Sequence, residues 1–489
     1  MALTAAEQYL IELINRARLD PGAEAKRYGL DLNADVTQHT ITTAAKQVLA
    51  PDQTLEKAAV AHSEWMLEAN TFSHTGVQNS DPAARMAKAG YDLTGSYAWR
   101  ENLAWMGSTG DINLQDVISK HHEGLYRSAG HRVNTFAENV REIGVGQVAG
   151  KFINNGTSYN SSMLTENFAL SGKDVFITGV TYADRNGNDF YNIGEGRSDY
   201  NIKAAGIFAE VADAGGYALA LDSGRPVDVT VLKAGKVISE LAVDMSDGNV
   251  KLDVVEGKGG PMLMLSGSAD LQKGIGKAAL LGVADLDLAG AKGRNVLLGN
   301  DGDNRLDGGG GRDKLKGNGG ADTLDGGGGR DKLVGGGGKD HLDGGNGRDV
   351  LKGNGGADRL DGSGGNDKLI GGGGRDHLDG GNGRDVLKGN GGADRLDGGG
   401  GNDKLIGGGG ADTFVFSAGR DRIRDFHDNR DTIAIDADLL DADENGIRDL
   451  MDHGRIAHGD AVFTFDGGHV LTIDNVSNID NLVNDLTLM

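Results

Sequence analysis

The sequence predicts a multidomain protein whose segments belong to different fold classes. Helical periodicity comes first, over residues 1–172, and alternating strand-like runs follow over residues 173–290. A strict nine-residue repeat then fills residues 291–415, ahead of a short β-rich segment over residues 416–489. Glycine marks the same division, because 44 of the 83 glycines lie between residues 299 and 415. A chain of 489 residues also suits several cores better than one.

Charge and cysteine content narrow the function classes. A formal net charge of −23 argues against a nucleic-acid-binding surface and favours cations as partners, with calcium the first candidate. The chain has no cysteine, which excludes disulfides and thiolate metal sites. No run approaches 18 apolar residues, so no transmembrane segment is expected.

The N-terminus MALTAAEQYLIELINRARL predicts a helix of the mature protein. It has no basic region followed by a continuous apolar run, as a secretory signal peptide would. Thr4 and Glu7 instead have the spacing of a capping box at a helix start. A second helix is predicted at TLEKAAVAHSEWMLEA, where Leu55, His62 and Met66 share one face.

Six short motifs follow these helices: FSHTG, PAARMAKAGY, RENLAW, SAGHRVN, REIGVG and LTENFAL. In this order they resemble the bacterial branch of the CAP superfamily, which comprises cysteine-rich secretory proteins, antigen 5 and plant pathogenesis-related proteins. The resemblance covers about a third of the chain. It implies an α-β-α sandwich over residues 1–172, with a central cleft where two histidines and two carboxylates converge.

Matched motif by motif, three of these cleft residues are His74, Glu101 and His131. Two imidazoles and a carboxylate form a reasonable zinc set with an open fourth position. The register of the second family carboxylate falls here on Leu125 and Ser128, so one ligand is missing. Two alternatives stay open: a metal that keeps an exchangeable water, or a site that has lost its metal.

The resemblance favours a binding module over an enzyme, and no catalytic residue is assigned. A serine hydrolase that pairs Ser128 with His131 lacks the G-x-S-x-G motif of that class. The first rival function is a metal-dependent hydrolase that uses His74, Glu101 and His131. The second rival is a structural or adhesive matrix protein in which the cleft has no role.

Residues 173–290 predict a small β-sandwich from runs such as VFITGVTY, YALALD, VDVTVLK and ISELAVDM. Within it, DRNGNDFYNIGE resembles calcium loops in the prealbumin-like β-domains of bacterial surface proteins. EF-hand positions 1, 3, 5 and 12 fall on Asp184, Asn186, Asn188 and Glu195. Asp189 occupies position 6, where the standard loop has glycine. The alternative is a solvated acidic hairpin.

The repeat has the form G-G-x-G-x-D-x-L-x and continues for thirteen units without an insertion. Its strict phase excludes a flexible linker, which needs no fixed leucine position. It resembles the calcium-binding nonapeptide of the RTX (repeats-in-toxin) parallel β-roll, in which two units form one turn and calcium lies between turns. The first unit has Asn304 at the aspartate position, and the candidate calcium ligands are Asp313, Asp322, Asp331, Asp340, Asp349, Asp358, Asp367, Asp376, Asp385, Asp394, Asp403 and Asp412.

Calcium must stabilise this segment if it folds at all. One buried leucine per nine residues contributes roughly 1.5 to 3 kcal/mol, whereas ordering each residue costs roughly 1 to 2 kcal/mol of backbone entropy. Burial alone therefore cannot fold the roll. We expect residues 299–415 to be disordered without calcium and to fold when it binds.

The C-terminal segment 416–489 contains DRIRDF and RDTIAID, which, with ADTFVF at the end of the repeat, resemble the cap that closes an RTX array. Its stretch DADENGIRDLMD gives a second EF-hand-like register at Asp441, Asp443, Asn445, Asp449 and Asp452. The tail HVLTIDNVSNIDNLVNDLTLM resembles an uncleaved type I secretion signal, which implies the type I secretion machinery as a partner. The sequence therefore predicts a secreted, extracellular calcium-binding protein that presents its CAP domain to a lipid, a cell-wall component or a host molecule.

Overall fold

The computed structural model describes residues 3–37, 39–222, 225–440 and 446–489. They form two compact units, Met1–Ala284 and Asp285–Met489. No helix among these residues is both long and apolar enough to cross a membrane. The finer division of the chain into four segments stays a prediction.

The first part of the N-terminal unit is a four-stranded sheet between two layers of helices. The helices are α1 (Ala5–Leu19), α2 (Pro21–Arg27), α3 (Gln53–Glu68), α4 (Pro82–Ala89), α5 (Leu114–Arg127) and α6 (Ala129–Thr135). The strands are β1 (Ala50–Pro51), β2 (Ala98–Ser108), β3 (Glu142–Asn154) and β4 (Thr157–Leu170), in the order β1-β3-β4-β2. This arrangement is the predicted α-β-α sandwich.

The two faces of β3 explain the two helical layers. Ile143 and Val145 point to one face and join the core formed with α1. Gly144 and Gly146 point to the other face, where a Cβ atom on either residue would collide with the backbone of α3. Two alternating glycines thus let a helix lie directly on the strand.

Helix α1 begins as its sequence predicts. The Thr4 backbone N–H donates to Glu7 Oε2 at 2.9 Å, and the Glu7 N–H donates to Thr4 Oγ1 at 3.3 Å, which completes the capping box. Leu10, Ile14 and Ala17 are fully buried. Almost every other residue of α1 is buried too, because strands that follow the CAP-like region pack on its second side.

Ten strands of the same unit are divided between two sheets, five in each. The strands are β5 (Val175–Ala183), β6 (Tyr200–Ala204), β7 (Ile207–Glu210), β8 (Gly216–Leu221), β9 (Val227–Lys233), β10 (Lys236–Val243), β11 (Val250–Gly257), β12 (Gly260–Leu265), β13 (Ala269–Lys273) and β14 (Lys277–Leu280). Their orders are β13-β10-β9-β6-β7 and β14-β12-β11-β5-β8. Val180, Tyr182 and Val255 from these strands share one core with Leu10 and Ile14 of α1.

A buried ion cluster also joins α1 to β11. Lys251 Nζ lies 2.7 Å from Glu12 Oε2 and also bonds Asp253, and all three side chains are at most 7% exposed. Gln8 Nε2 donates to the other oxygen of Glu12 at 2.8 Å. The first helix is therefore held by charge as well as by apolar packing, because each buried charge has a partner.

The second unit is a parallel β-solenoid of about ten turns. One of its faces contains β16 (Val296–Leu298), β19 (Lys314–Gly319), β22 (Lys332–Gly337), β25 (Val350–Gly355), β28 (Lys368–Gly373), β31 (Val386–Gly391) and β34 (Lys404–Gly409). The other contains β15 (Asp287–Ala289), β17 (Arg305–Asp307), β20 (Thr323–Asp325), β23 (His341–Asp343), β26 (Arg359–Asp361), β29 (His377–Asp379), β32 (Arg395–Asp397) and β35 (Thr413–Phe416). Two-residue strands lie in the turns between them: β18 (Gly310–Gly311), β21 (Gly328–Gly329), β24 (Asn346–Gly347), β27 (Gly364–Gly365), β30 (Asn382–Gly383) and β33 (Gly400–Gly401).

The register of the solenoid is constant from turn to turn. Leu315 pairs with Leu333 and Leu306 with Leu324, so each turn contains 18 residues, or two nonapeptides. The repeat leucines from Leu306 to Leu405 are at most 1% exposed and form two facing columns. The predicted β-roll and its inward leucines are therefore confirmed.

A mixed cap closes the far end of the roll. It contains β36 (Arg420–Ile423), β37 (Thr432–Ile435), α7 (Ile447–Asp452), β38 (Gly454–Ala457), β39 (Asp460–Thr464), β40 (Val470–Ile473) and β41 (Leu486–Leu488). Strands β40 and β41 pair with β36 and β37, so the last residues of the chain are part of the cap. Phe414, Phe416 and Phe463 are buried there, in place of the leucines of the roll.

Candidate functional site

A cleft of about 670 Å³ lies beside β2 in the N-terminal unit. His74, from the loop after α3, and Glu101, from β2, contribute to its wall, together with Trp99 and Asn134. The Nδ1–H group of His74 donates to Glu101 Oε1 at 2.8 Å. The fold therefore brings two of the three predicted cleft residues into direct contact.

Arg85 of α4 occupies the other oxygen of Glu101. Its guanidinium bonds Glu101 Oε2, and its Nη1 donates to the carbonyl oxygens of His74 and Ser80, both at 2.9 Å. The Glu101 side chain is only 2% exposed, so its charge is balanced inside the protein by Arg85. Both carboxylate oxygens are thus already in use.

His131 of α6 lies near this pair. Burial and the neighbouring His74 lower the pKa of His131, which favours its neutral form. Among the described residues, no group of three or more histidine, aspartate or glutamate side chains is close enough to hold a metal ion. The three predicted ligands are neighbours, but they do not form a ready metal centre.

A buried amide and carboxyl network supports the same wall from behind. Asn102 Nδ2 donates to Glu166 Oε2 at 3.0 Å and to the backbone oxygen of His131 at 3.3 Å. Asn134 Nδ2 in turn donates to Asn102 Oδ1 at 2.9 Å. Burial raises the pKa of Glu166 to about 7, and only the hydrogen bond from Asn102 acts against it.

The roll has its own candidate site, which repeats at every half-turn. In each unit the aspartate Oδ1 accepts the backbone N–H of the residue 18 positions earlier, as in Asp331 N to Asp349 Oδ1 at 2.7 Å. The second oxygen, Oδ2, is buried and has no hydrogen-bond partner in thirteen of the described aspartates, the twelve predicted ligands and Asp421. A buried carboxylate oxygen without a partner is costly, and a bound cation or a proton would remove that cost.

The glycines of the repeat open the space around these oxygens. A Cβ atom on Gly326 would lie 2.7 Å from the carbonyl oxygen of Gly344 and 3.1 Å from Asp331 Oδ2. Carboxylate and carbonyl oxygens thus converge on a point that only glycine leaves free. Hard oxygen ligands of both kinds are what Ca²⁺ prefers, so the repeat residues fit calcium.

Two family models match the chain. The model described as the cysteine-rich secretory protein family, CAP, matches residues 11–155. The model for the RTX calcium-binding nonapeptide repeat matches four times, over residues 287–315, 316–351, 352–387 and 388–423. The chain joins a CAP domain to an RTX β-roll. Both resemblances seen in the sequence are therefore confirmed.

Three solved structures each match part of the chain. An outer surface protein from Borrelia burgdorferi is 21% identical, with 35% of this chain and 97% of that chain covered and a TM-score of 0.22. An extracellular protein with an SCP domain from Bacillus anthracis str. Ames is 21% identical, with coverage of 35% and 45% and a TM-score of 0.20. Extracellular lipase LipA from Serratia marcescens is 20% identical, with coverage of 43% and 45% and a TM-score of 0.18. The matches thus span less than half of the last two proteins. No curated protein matches the chain.

Sequence reasoning missed two residues of the CAP domain. Arg85 lies within the motif PAARMAKAGY and Glu166 within LTENFAL, but neither motif by itself indicates a role for the side chain. A basic residue four positions after the helix N-cap Asp81 gives no sign that it will meet Glu101. The role of Glu166 becomes visible only when β2 and β4 pair and bring Asn102 opposite Glu166.

Other polar side chains of α5 and α6 have structural partners or positions. His121 Nε2 lies 3.0 Å from Ser162 Oγ, and His122 Nε2 lies 3.0 Å from Glu24 Oε1. Glu123 pairs with Arg127 on the surface of α5. Ser128 is the N-cap residue of α6 and makes no side-chain capping bond.

In the loop at residues 184–195, the carboxylates of Asp184 and Glu195 accept hydrogen bonds from backbone N–H groups of the same loop. Asp184 Oδ1 accepts the N–H of Gly187 at 2.8 Å. Glu195 Oε1 accepts the N–H of Arg185 at 3.1 Å, and Oε2 accepts that of Asn192 at 2.9 Å. These bonds bring loop positions 1 and 12 into one turn.

The middle of this loop follows the same pattern. Asn186 Oδ1 accepts the N–H of Asn188 at 3.0 Å, and Asn188 Oδ1 accepts that of Phe190 at 2.9 Å. Asp189, at position 6, has a φ of 53°, the left-handed conformation that glycine provides in a standard loop. The aspartate therefore adopts the expected turn despite its side chain.

The second EF-hand-like segment lies largely outside the described residues, because Asp441, Asp443 and Asn445 fall there. Asp449 Oδ2 accepts the N–H of Gly446 at 3.0 Å at the start of α7. Asp452 is the last residue of α7. The site there stays a prediction.

Proposed function

We propose that this protein works outside the cell, where calcium folds the RTX roll and the CAP domain then binds an extracellular ligand. The CAP and RTX matches already support a calcium-binding, extracellular protein. The observation that carries the proposal is the row of thirteen buried Oδ2 atoms without partners among the described residues. Calcium would neutralise these carboxylates and link successive turns of the roll.

Binding by the CAP domain rests on the open cleft beside β2. Its wall combines the aromatic rings of Tyr97 and Trp99 with the polar groups of His74, Arg100 and Asn134. Tyr97 is 51% exposed, so an aromatic surface is available to a ligand. Concave sites of this mixed character suit small molecules or short segments of a larger partner.

The proposed calcium-dependent folding of the roll is tested by a calcium titration of the full chain, monitored by circular dichroism. Metal-free protein should lack the strand signal of the roll and regain it cooperatively as calcium is added. A variant with Asp349→Asn, Asp358→Asn and Asp367→Asn should need more calcium, because three anionic ligands are lost. Lys352→Gln, on an outward position of the same turns, is the control. Equal strand content with chelator and with millimolar calcium would rule the proposal out.

Export by the type I secretion machinery is part of the same proposal, because calcium is scarce inside cells and plentiful outside. Support comes from the tail, which resembles such signals in its mixture of acidic and aliphatic residues. Removal of the residues after Val470 should keep the protein in the cytoplasm of its host. Undiminished export of that truncated chain would contradict this part alone.

No observation favours the alternative of a zinc hydrolase. Zinc held by His74, Glu101 and His131 would have to displace Arg85 from Glu101. Elemental analysis of the full chain after zinc exposure tests this directly. Stoichiometric zinc that disappears in a variant with His74→Ala and His131→Ala would favour a metal site, and absence of zinc in a folded protein would favour binding without a metal.

A further inference from the structure

One face of the RTX roll collects positive charge in a protein whose net charge is −23. We call it the cationic face. It consists of the outward residues on either side of the buried leucine in β19, β22, β25, β28, β31 and β34, together with the exposed residue of each turn that precedes the buried aspartate. These are three positions in each of six turns.

Eleven of these eighteen positions are cationic, and none is acidic: Arg312, Lys314, Lys316, Arg330, Lys332, Arg348, Lys352, Lys368, Arg384, Lys388 and Lys404. The remaining seven are Val334, Val350, Asn366, Ile370, Val386, Asn402 and Ile406. No ion pair joins any of the eleven to a carboxylate within the described parts of the chain. The positive charge therefore faces solvent without a paired carboxylate.

The opposite face of the same roll is different. At its outward positions, an aspartate follows each leucine over six turns: Asp307, Asp325, Asp343, Asp361, Asp379 and Asp397. Arg305, Arg359 and Arg395 lie on the other side of those leucines, and Arg395 Nη2 is 3.6 Å from Asp397 Oδ2. Counted over the same three positions in each of six turns, this face has seven aspartates, with Asp303 as the seventh, and five lysines or arginines, which include Lys339 and Arg375. The two faces therefore differ in net charge although they have the same architecture.

The roll spaces the cations evenly. Each turn pairs with the next at 18 residues, and neighbouring parallel strands lie about 4.8 Å apart. The cationic face is therefore a flat stripe roughly 24 Å long, with at least one positive charge in every turn. A linear polyanion that lies along the roll axis would meet all of them.

We propose that the cationic face binds an acidic polysaccharide, a single extended chain with carboxylate or sulfate groups. Ion pairs to each turn would release the counterions of the polymer, which is the main source of affinity for a polyanion. Val350, Ile370 and Val386 between the lysines provide half-buried apolar contacts for sugar rings. The site depends on the roll alone and does not rest on the ligand of the CAP cleft.

Other polyanions fit this face less well. A bilayer would need exposed apolar anchors, and the described residues of the roll contribute none of the large exposed hydrophobic side chains. Single-stranded nucleic acid is held by stacking on aromatic rings, which none of the eighteen positions supplies. Duplex DNA is cylindrical and would touch only part of a flat stripe.

The test uses the full chain in calcium and fluorescence anisotropy with labelled dextran sulfate, labelled hyaluronate and neutral dextran. Variant one carries Lys352→Gln, Lys368→Gln and Lys388→Gln on the cationic face. Variant two carries Arg305→Gln, Arg359→Gln and Arg395→Gln on the opposite face, so both lose three positive charges. The calcium-dependent strand signal by circular dichroism must match the wild type in both.

Wild type and variant two should bind at least one of the charged polymers and not neutral dextran, and variant one should bind at least tenfold more weakly. The slope of log affinity against log salt should fall by about 2 in variant one, since each contact contributes about 0.7 for single-stranded polyanions. The comparison of dextran sulfate with hyaluronate separates sulfate from carboxylate recognition. Equal weakening in both variants, no binding to either charged polymer, or tighter binding to anionic vesicles or DNA would overturn the proposal.

Discussion

Arg85 and Glu101 form an ion pair in the CAP cleft, in which the guanidinium of α4 holds a carboxylate of β2 that is 2% exposed. His74 Nδ1 completes the set at 2.8 Å from the other carboxylate oxygen. Arg85 uses an oxygen of Glu101, and its bond to the His74 carbonyl ties the loop that carries His74 to the sheet. The positive charge next to Glu101 in this cleft therefore comes from a side chain of the protein, Arg85.

Replacement of Arg85 by leucine should destabilise the CAP domain by about 3 kcal/mol, because the Glu101 carboxylate would stay buried without its cation. The three tryptophans, Trp65, Trp99 and Trp105, all lie in this domain, so urea unfolding followed by tryptophan fluorescence reports on it selectively. The control is Arg85→Leu combined with Glu101→Gln, which should recover part of the loss. A single variant as stable as the wild type would contradict the structural role of the pair.

Lys251→Met should destabilise the N-terminal unit by about 3 to 5 kcal/mol at neutral pH, since Glu12 and Asp253 would be left buried without a cation. Burial already raises the pKa of Glu12, and loss of Lys251 removes the main effect that lowers it. A carboxyl group with a raised folded-state pKa stabilises the protein at low pH and loses that contribution as the pH rises through the pKa. In urea unfolding experiments, the defect should therefore shrink as the pH is lowered from neutral. A defect independent of pH would indicate a packing effect instead.

The calcium-free roll should be more structured in mildly acidic solution than at pH 8. Burial raises the pKa of both Asp322 and Asp385 to about 7 and that of Asp331 to about 6. The folded state thus holds protons that the unfolded chain releases, so stability falls as the pH rises through this range. Circular dichroism of metal-free protein should show more strand signal near pH 5, and calcium binding near pH 6 should release protons. Calcium binding without proton release would contradict these pKa directions.

Leu351→Ala should raise the calcium concentration needed to fold the roll. Leu351 is fully buried, and such a truncation costs about 2 to 5 kcal/mol. If calcium binding folds the roll, as proposed, the lost stability must be offset by more ligand. The matched control is Lys352→Ala, the outward neighbour on β25, which should leave the midpoint almost unchanged. Equal midpoints for both variants would mean that the leucine columns do not stabilise the roll.

Much of the fold follows from local pattern. The capping box of Thr4 and Glu7 predicts the start of α1, and the nine-residue phase predicts the inward leucines and the 18-residue turn. A repeat determines its structure from sequence because each unit contacts only its neighbours, so the local pattern is also the global one. The row of buried aspartates was predictable for the same reason, and their role as calcium ligands stays a prediction.

The CAP cleft was predictable only in part. Motifs identify His74, Glu101 and His131, but nothing near Arg85 in the sequence shows that it neutralises Glu101. The role of Glu166 is not predictable either, because its partner Asn102 lies 64 residues earlier in the chain. Contacts of this kind depend on strand pairing and helix packing that no local pattern encodes.

By itself, the sequence determined the RTX roll, its calcium chemistry and the presence of a CAP domain, since these depend on short periods and ordered motifs. Tertiary structure alone decided that Arg85 occupies the cleft carboxylate and that α1 is clamped by Lys251 of β11. It also decided that eleven scattered lysines and arginines share one face of the roll. The physical reason is that these residues lie far apart along the chain. Whether two charges come into contact depends on how the sheets and turns place them in space.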